Sequence, residues 1–264
     1  MTVSEITSAP TERRTAAQRV LAVLEVFDRQ NVVLSLSEIS RRAQLTLSTT
    51  HRLVGELMAW GGLVRTGDGR YAIGVRVLEL GSLEPSGMEL RDVAPPYLGD
   101  LHAATDANIH LAVRDHLDVV YIYNLRSRRG VQVPGRLGGR WPLRATATGR
   151  VLLAAAPQDL VDEVLGDGDA APAARQEHAV QLWRGLADVR RAGFAVVEDT
   201  ITPGVTAIAV PIRGERDRTV AALGITVASC DRAPHKLLTP LASTAQAISR
   251  ALTAPPAIRH SSSA

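Results

Sequence analysis

The sequence predicts an α+β protein with two folded parts, an N-terminal winged helix-turn-helix and a C-terminal α/β domain. Three observations support this fold class. The chain has 264 residues, which is more than one ordinary domain needs. Helical patterns followed by a hairpin pattern occupy the first 76 residues, and strand and helix patterns alternate in the remainder.

The composition is typical of a folded protein from a reducing compartment. Apolar residues make up 45% of the chain and charged residues 22%, as in ordinary globular proteins. The single cysteine, Cys230, excludes an intrachain disulfide and a zinc site built from cysteines. No segment approaches the roughly 20 apolar residues that cross a bilayer, and the opening MTVSEITSAPTERR lacks the order of a signal peptide. We therefore expect a cytoplasmic protein with no membrane partner and no cofactor.

The net charge of +3 belongs to the first 76 residues. They contain ten arginines and seven acidic residues, whereas the charges of the remaining chain balance. Arginine outnumbers lysine 29 to 1, which suits bidentate recognition of phosphate or guanine. A GC-rich genome would produce the same bias, so the arginine content alone does not identify a nucleic-acid partner.

Apolar spacing predicts the first two helices. Residues 15–28 form an amphipathic helix whose expected buried face contains Val20, Leu21, Leu24 and Phe27. Ser37 is placed to cap a second helix, which buries Ile39 and Ala43 and ends near Gln44.

A third helix follows a short break at Leu45. Thr46 is the expected N-cap, and the expected inward stripe contains Leu53, Leu57 and Trp60. The opposite face begins with side chains that can reach phosphates or base edges, namely Ser48, Thr49, Thr50, His51 and Arg52. Two helices joined by about three residues are what a helix-turn-helix requires. A plain helical hairpin with a solvated polar face has the same spacing.

The next residues favour the DNA-binding interpretation. The segment GGLVRTGDGRYAIG predicts a hairpin in which Asp68 and Gly69 supply the positive backbone dihedral angles of a tight turn. Arg65 and Arg70 flank this turn and can contact the phosphate backbone. Three helices and a basic hairpin predict a winged helix that binds double-stranded DNA. The candidate DNA contacts are Ser37, Thr46, Ser48, Thr49, Thr50, His51, Arg52, Arg65 and Arg70.

The remaining chain predicts a mixed sheet with helices around it. A helix follows Pro96, and NIHLAVRDHLDVVYIYNL predicts two strands that turn near residues 115–117. The segments FAVVED, TAIAVPIR and VAALGITV predict three further strands, and a last helix runs from about Pro240 to Leu252. In RATATGRVLLAAAP, a loop of small residues leads into an apolar helix. Such a helix start can hold a carboxylate or phosphate, with Thr146, Ala147 and Thr148 nearest to it, although an ordinary capped helix has the same pattern.

At this point the sequence resembles the IclR family of bacterial regulators over about residues 15–252. The resemblance is carried, in order, by LSLSEISRRAQLTLSTTHRLVGELMAWGGLVR, GRYAIGVRVLELG, ATATGRVLLA, GFAVVEDTITPGVTAIAVPI and LTPLASTAQAISRAL. It implies a winged-helix dimer, a linker helix, and a GAF-like α/β effector-binding domain. We expect this dimer, or a tetramer assembled from it, to bind a palindromic operator. Pro85 interrupts the expected linker helix, on which Val75, Leu78 and Leu80 are available for contacts between domains or subunits.

The resemblance also implies an effector pocket that includes the loop at residues 146–148. Members that bind small oxoacids use an acidic residue, a cysteine and two serines, where this chain has Val197, Ala207, Gly224 and Thr226. An apolar wall favours a carboxylate with an apolar portion over a small, heavily hydrated acid. Asn108 and His110 lie on a neighbouring strand, and we expect one of the two to face elsewhere because strand faces alternate.

The sequence also offers three other functions: a metal site, an enzyme and a protein scaffold. His102, Asp106 and His110 have a spacing that suggests a metal site, but the helix should end before His110, so we expect no metal. An enzyme built on the C-terminal domain is the main alternative, although no G-x-S-x-G elbow is present. A scaffold that binds only proteins would leave the polar start of the third helix unexplained. The expected organisation is a flexible tail (1–14), a winged helix (15–76), a linker (77–95), an effector domain (96–253) and a second tail (254–264).

Overall fold

The structure, a computed structural model, describes residues 14–28, 30–83, 85–128, 130–133, 135–166, 172–229 and 234–254. The chain divides into two compact units, residues 1–84 and 85–264. The two predicted tails lie outside the described residues except for Arg14 and Ala254, and Cys230 also lies outside them.

The first unit is a winged helix-turn-helix, as predicted. Its helices are α1 (Ala16–Glu25), α2 (Leu36–Ala43) and α3 (Leu47–Trp60). Its strands are β1 (Val33–Leu34), β2 (Leu63–Arg65) and β3 (Tyr71–Ile73), which form an antiparallel sheet in the order β1-β3-β2. The sequence patterns did not predict β1, which has only two residues.

Side-chain caps set where α2 and α3 begin. Ser35, not Ser37, caps α2 in a capping box, because its side chain accepts the N–H of Glu38 while the Glu38 carboxylate accepts the N–H of Ser35. The prediction for Ser37 was therefore wrong by two residues. Thr46 caps α3 as expected and accepts the N–H of Thr49 at 3.3 Å.

The core of this unit is apolar and centres on one side of each helix. Val23, Ile39, Leu53 and Leu63 have at most 1% of their surface exposed. Two sequence expectations were wrong, because Leu21 is 55% exposed and Trp60 is 44% exposed. Neighbouring apolar residues compete for the inward position, and Val23 on α1 and Val26 at its C-cap occupy it.

The wing turn depends on Gly69 alone for its positive φ, which is 82°. Asp68 does not adopt a positive φ, contrary to expectation. Its carboxylate instead accepts hydrogen bonds from the hydroxyl of Thr66 and the guanidinium of Arg70. These bonds hold the short connection between β2 and β3.

The linker region contains two helices rather than one. Helix α4 (Val75–Ser82) closes the first unit and α5 (Pro85–Val93) opens the second. A proline is well tolerated at the first position of a helix, which explains why a helix begins at Pro85. Val75, Leu78 and Leu80 are exposed on α4.

The second unit is built on a six-stranded antiparallel sheet. Its strands are β4 (Asn108–Asp115), β5 (Asp118–Leu125), β6 (Arg140–Pro142), β7 (Ala195–Glu198), β8 (Val205–Arg213) and β9 (Thr219–Ala228). Their order is β6-β5-β4-β9-β8-β7. The expectation of a mixed sheet was wrong, since all pairings among the described strands are antiparallel. Neighbours other than β4 and β9 are consecutive in the chain, and consecutive strands without a crossover pair antiparallel.

Helices cover both faces of this sheet. They are α6 (Pro95–Thr105), α7 (Ala147–Ala154), α8 (Gln158–Gly166), α9 (Pro172–Ala192) and α10 (Pro234–Thr253), with short 3₁₀ turns at Leu143–Ala145 and Glu215–Asp217. Helix α10 begins six residues before the predicted start and includes Pro240. One core lies between the sheet and α6 and α10, and a second lies between the sheet and α7 and α9. No helix in the described part of the chain is long and apolar enough to span a bilayer.

Candidate functional site

One face of α3 presents polar side chains from its first residues onward. Ser48, His51 and Arg52 are exposed, and Thr49 is half-buried. The Arg52 guanidinium donates to the Glu56 carboxylate one turn later at 2.5 Å, and both side chains are more than half exposed. An exposed pair of this kind contributes little to stability, so Arg52 can exchange Glu56 for a phosphate or a base.

Thr50 does not belong to this face, which corrects the sequence expectation. Its side chain is fully buried and its hydroxyl donates to the carbonyl of Thr46 at 2.9 Å. Residues three and four apart share a helix face, and Thr50 lies on the same side as the core residues Leu53 and Val54. It therefore cannot reach a base edge.

The wing carries two exposed arginines in different surroundings. Arg65 Nε donates to the carbonyl of Gly69 at 3.4 Å. Arg70 Nε donates to the Asp68 carboxylate at 2.7 Å. Hydrogen bonds from Thr66 and then Arg70 lower the pKa of Asp68 to about 2, so this carboxylate is charged near neutral pH. It offsets part of the positive charge of the wing.

Ser37 and Gly55 are also exposed on the first unit. Ser37 is exposed in the first turn of α2, with its hydroxyl 3.2 Å from that of Ser35. Gly55 was missed by the sequence reasoning and lies on the exposed face of α3, where a Cβ would have no neighbour within 4 Å. Glycine in a helix interior is unfavourable, and packing does not require it here. Its position in the middle of a predicted helix was the signal that could have found it.

The second unit contains a cavity of about 70 Å³ beside the start of α7. One water needs about 10–15 Å³ of such space, so the cavity has room for a small organic molecule. Its surface is mostly apolar. Eight of the nine predicted effector residues line it: His110, Thr146, Ala147, Thr148, Val197, Ala207, Gly224 and Thr226.

The N-terminus of α7 forms one wall of the cavity. Thr146 is the N-cap and accepts the N–H of Gly149 at 2.9 Å. The first N–H groups of a helix have no partner within the helix and carry partial positive charge. A Cβ on Gly149 would lie 2.2 Å from the carbonyl oxygen of Leu143, so α7 packs directly on the preceding 3₁₀ turn. This packing fixes the position of the helix start.

Among the described residues that line the cavity, His110 is the only histidine. Its Nε2 lies 2.6 Å from the hydroxyl of Thr226, and its ring stacks on Tyr121 with centroids 4.9 Å apart. Burial, assisted by the charge of Arg126, lowers the pKa of His110 to about 4. The imidazole is therefore neutral at physiological pH. Burial also raises the pKa of Tyr121, against a hydrogen bond with Thr148 that lowers it.

Asn108 is buried but is not among the residues that line the cavity. Its amide donates to the carbonyl of Val131 at 2.7 Å and accepts the N–H of Ser127 at 3.0 Å, so it holds the chain that follows β5. The expectation that only one of Asn108 and His110 faces the cavity agrees with this lining, but its stated reason was wrong, since residues two apart share a strand face. The loop contacts, not the alternation, account for the position of Asn108.

Several lining residues were not anticipated from the sequence. They are Tyr121, Trp141 and the loop at 200–202, together with Gly135 and Val133. The alternation in β5 identified a strand but not which of its faces meets the cavity. The other side chains of the suggested metal site point to separate partners: His102 Nδ1 lies 2.9 Å from the carbonyl of Ala107, and Asp106 accepts from Ser127 at 2.8 Å. Across the described residues, no group of three or more side chains could hold a metal ion.

Comparisons with known proteins agree on one family. The model named IclR helix-turn-helix domain matches residues 16–67, and the model named bacterial transcriptional regulator IclR C-terminal matches residues 85–250. The chain is 28% identical over 218 residues to the HTH-type transcriptional regulator XynR of Escherichia coli K12, covering 80% of this chain and 85% of that protein. It is 31% identical over 216 residues to the Pca regulon regulatory protein of Pseudomonas putida, covering 80% and 74%.

A solved structure with a bound ligand is also similar. It is an IclR homolog from Microbacterium hydrocarbonoxydans complexed with 4-hydroxybenzoate. The identity is 32%, the TM-score is 0.81, and the match covers 90% of this chain and 99% of that one.

Proposed function

The chain belongs to the IclR family of bacterial transcription regulators, and from this premise we propose which molecules each of its units binds. The chain has a DNA-binding helix-turn-helix domain and is a regulator of transcription rather than an enzyme. We assign operator reading to α3 and the wing, and effector binding to the cavity beside α7. The observation that carries the second assignment is a mostly apolar cavity with a helix N-terminus in its wall.

The exposed face of α3 suits base reading in the major groove. Ser48, Thr49 and His51 offer short polar contacts, and Arg52 can bond to guanine in a bidentate manner. The wing arginines contact phosphates and supply affinity without sequence information. A homodimer with two-fold symmetry sets two such helices about 34 Å apart, in successive major grooves of a palindromic operator. Two dimers can join as a tetramer.

The DNA assignment is tested by comparing Arg52→Ala with Arg70→Ala. On a panel of single-base operator variants, Arg52→Ala should weaken binding by about 1–3 kcal/mol and relax the preference at one position. Arg70→Ala should weaken binding to all operator variants alike. It should also reduce the slope of log affinity against log salt concentration by about 1. Glu56→Gln, which releases Arg52 from its ion pair, is the matched control and should retain the base preference. Unchanged specificity in Arg52→Ala would remove Arg52 from the reading face.

The cavity suits an organic acid with an apolar body. Its carboxylate would accept the free N–H groups at the start of α7 and the hydroxyl groups of Thr146 and Thr148. Its hydrocarbon portion would contact Val197 and Ala207. A very small acid would lose its hydration shell here without gaining apolar contacts. The 4-hydroxybenzoate held by the similar solved protein combines a carboxylate with a ring and supports this class of ligand.

The effector assignment is tested by calorimetry and by operator binding with the same acids. We expect 4-hydroxybenzoate to bind more tightly than pyruvate or glyoxylate. Effector binding should change operator affinity by roughly 5- to 150-fold, which corresponds to a coupling of about 1–3 kcal/mol. Tight binding of glyoxylate or pyruvate without binding of any larger acid would refute the assignment.

A further inference from the structure

Leu47 is an exposed leucine at the first position of α3. The helix runs from Leu47 to Trp60, and Thr46 is its N-cap. Leu47 is 54% exposed, and it is not among the described residues that form or pack against the apolar core of the first unit. Packing within this unit therefore does not account for a large apolar side chain at the start of α3.

The stability of the helix start does not account for this leucine either. The first turn of a helix favours proline and acidic residues, because its unpaired N–H groups carry partial positive charge. Thr46 supplies the cap, since its hydroxyl accepts the N–H of Thr49 at 3.3 Å and lies 3.2 Å from the hydroxyl of Ser48. Leu47 takes no part in these contacts and leaves apolar surface in water.

The neighbours of Leu47 belong to the face of α3 that we assign to the operator. Ser48 follows it directly, and His51 lies one turn later on the same side, because residues four apart share a helix face. Thr50 and Val54 are buried, so Leu47 lies at the border between the reading face and the core. In helix-turn-helix proteins, the N-terminal residues of the second helix contact base edges. Leu47 is at this end of the helix.

The major groove offers one base substituent that matches an apolar side chain. Guanine, cytosine and adenine present hydrogen-bond donors and acceptors there, whereas thymine presents a C5-methyl group beside its carbonyl oxygen. A phosphate near leucine would lose hydration without gaining a hydrogen bond. Contact with the thymine methyl group instead removes apolar surface from water on both molecules. The chemistry of the groove therefore favours thymine as the partner of Leu47.

We infer that Leu47 contacts the C5-methyl group of one thymine in each operator half-site and selects a T·A pair at that position. The inference rests on the proposed function and adds an apolar contact to the polar contacts of α3. Burying one methyl group should raise affinity by about 4-fold. The two half-sites of a palindromic operator should together contribute about 15-fold.

The first test removes the methyl group from the DNA and leaves the protein unaltered. A binding selection with the full-length protein identifies the operator, and each thymine is then replaced by deoxyuridine in both half-sites at once. Deoxyuridine pairs with adenine but lacks the C5-methyl group. Affinity should fall by about 15-fold at one position of the half-site. No loss at any position would overturn the inference, while the selected operator would uphold the proposed DNA binding. A selection without any preferred sequence would refute both.

Matched variants assign the methyl contact to Leu47. Leu47→Asn keeps a branched side chain of similar size but replaces its methyl groups with an amide, and Leu47→Met keeps an apolar end. The preference for thymine over deoxyuridine should vanish in Leu47→Asn and persist in Leu47→Met. Leu21→Asn is the control, because Leu21 is 55% exposed on α1, and it should keep the full preference. An undiminished preference in Leu47→Asn would overturn the inference.

Methylated cytosine separates a contact from a purely structural role of Leu47. The T·A pair identified above is replaced by C·G in both half-sites, with or without a C5-methyl group on the cytosine. The methyl group should raise the affinity of the unaltered protein by about 15-fold and should have no effect on Leu47→Asn. Because each protein is compared with itself on two DNAs, a general loss of affinity cancels. Equal methyl effects in the two proteins would contradict the assignment to Leu47.

Discussion

Two helical glycines should respond in opposite ways to the same substitution. In α7, a Cβ on Gly149 would lie 2.2 Å from the carbonyl oxygen and 2.7 Å from the Cα of Leu143. Both are backbone atoms of the 3₁₀ turn, so the turn and the helix must separate. In α9, a Cβ on Gly185 would meet nothing within 4 Å. Gly185→Ala therefore changes helix propensity alone, while Gly149→Ala adds a steric conflict.

The magnitudes follow from these two effects. Alanine is favoured over glycine in a helix by about 1 kcal/mol, so Gly185→Ala should raise the free energy of unfolding by up to that amount. Overpacking costs roughly 1–3 kcal/mol, and a backbone approach of 2.2 Å belongs at the upper end. Gly149→Ala should therefore lower the free energy of unfolding by about 2 kcal/mol after the propensity gain is subtracted. The two variants should differ by about 3 kcal/mol.

The assay is urea unfolding followed by tryptophan fluorescence in a Trp60→Phe background. Trp60 belongs to the first unit, whereas Trp141 and Trp183 belong to the second, so this background reports the second unit alone. Gly149→Ala should also weaken effector binding, since it displaces the helix start in the cavity wall. A Gly149→Ala protein as stable as Gly185→Ala would refute the close packing of α7 on the 3₁₀ turn.

Three further predictions concern single residues. Thr50→Val should lower the stability of the first unit by about 0.5–1.5 kcal/mol through loss of one hydrogen bond, and base preference on an operator panel should stay unchanged. Gly55→Ala should stabilise the first unit by up to about 1 kcal/mol, which a thermal melt measures. If the α3 backbone approaches DNA closely, the same variant should weaken operator binding, which a gel-shift titration measures. Stability of the second unit should fall as the pH falls from about 6.5 to about 4, because the unfolded chain protonates His110 in this window and the folded chain does not. The loss attributable to His110 reaches about 3 kcal/mol and is measured by urea unfolding at several pH values.

Each of these predictions has a result that contradicts it. A changed base preference in Thr50→Val would mean that Thr50 contacts DNA despite its burial. Unchanged operator affinity in a stabilised Gly55→Ala protein would mean that the α3 backbone does not approach DNA closely at this residue. For the pH dependence, His110→Gln is the control, and a parallel pH profile in this variant would assign the loss to other groups.

The sequence predicted those parts of the fold that depend on local patterns. The three helices of the first unit, the hairpin and five strands of the second unit follow from apolar spacing and turn residues. It did not predict that Val23 rather than Leu21 is buried on α1, because the choice between neighbouring apolar residues depends on the helices they pack against. The antiparallel sheet was missed for a related reason, since the β4–β9 pairing joins strands far apart in the chain.

Some residues of the site were predicted from the sequence and others were misassigned or missed. Tertiary packing explains which residues fall into each group. The loop at Thr146–Thr148 was identified because a small-residue loop before an apolar helix is a local signal. Thr50 was misassigned because the sequence shows a hydroxyl near a helix start but not its direction. Tyr121 and Gly135 were missed because their importance depends on their positions around His110, which only the folded sheet brings together.

The hydrogen bond between His110 and Thr226 also bears on how the chain folds during synthesis. Its two residues are 116 positions apart, and they lie on β4 and β9, which pair at the centre of the sheet. At about 5–20 residues per second, a ribosome needs roughly 6 to 23 s to pass from one to the other. The first unit has left the ribosome by then and can fold on its own contacts. The newly made chain therefore acquires its DNA-binding unit before the cavity that responds to the effector.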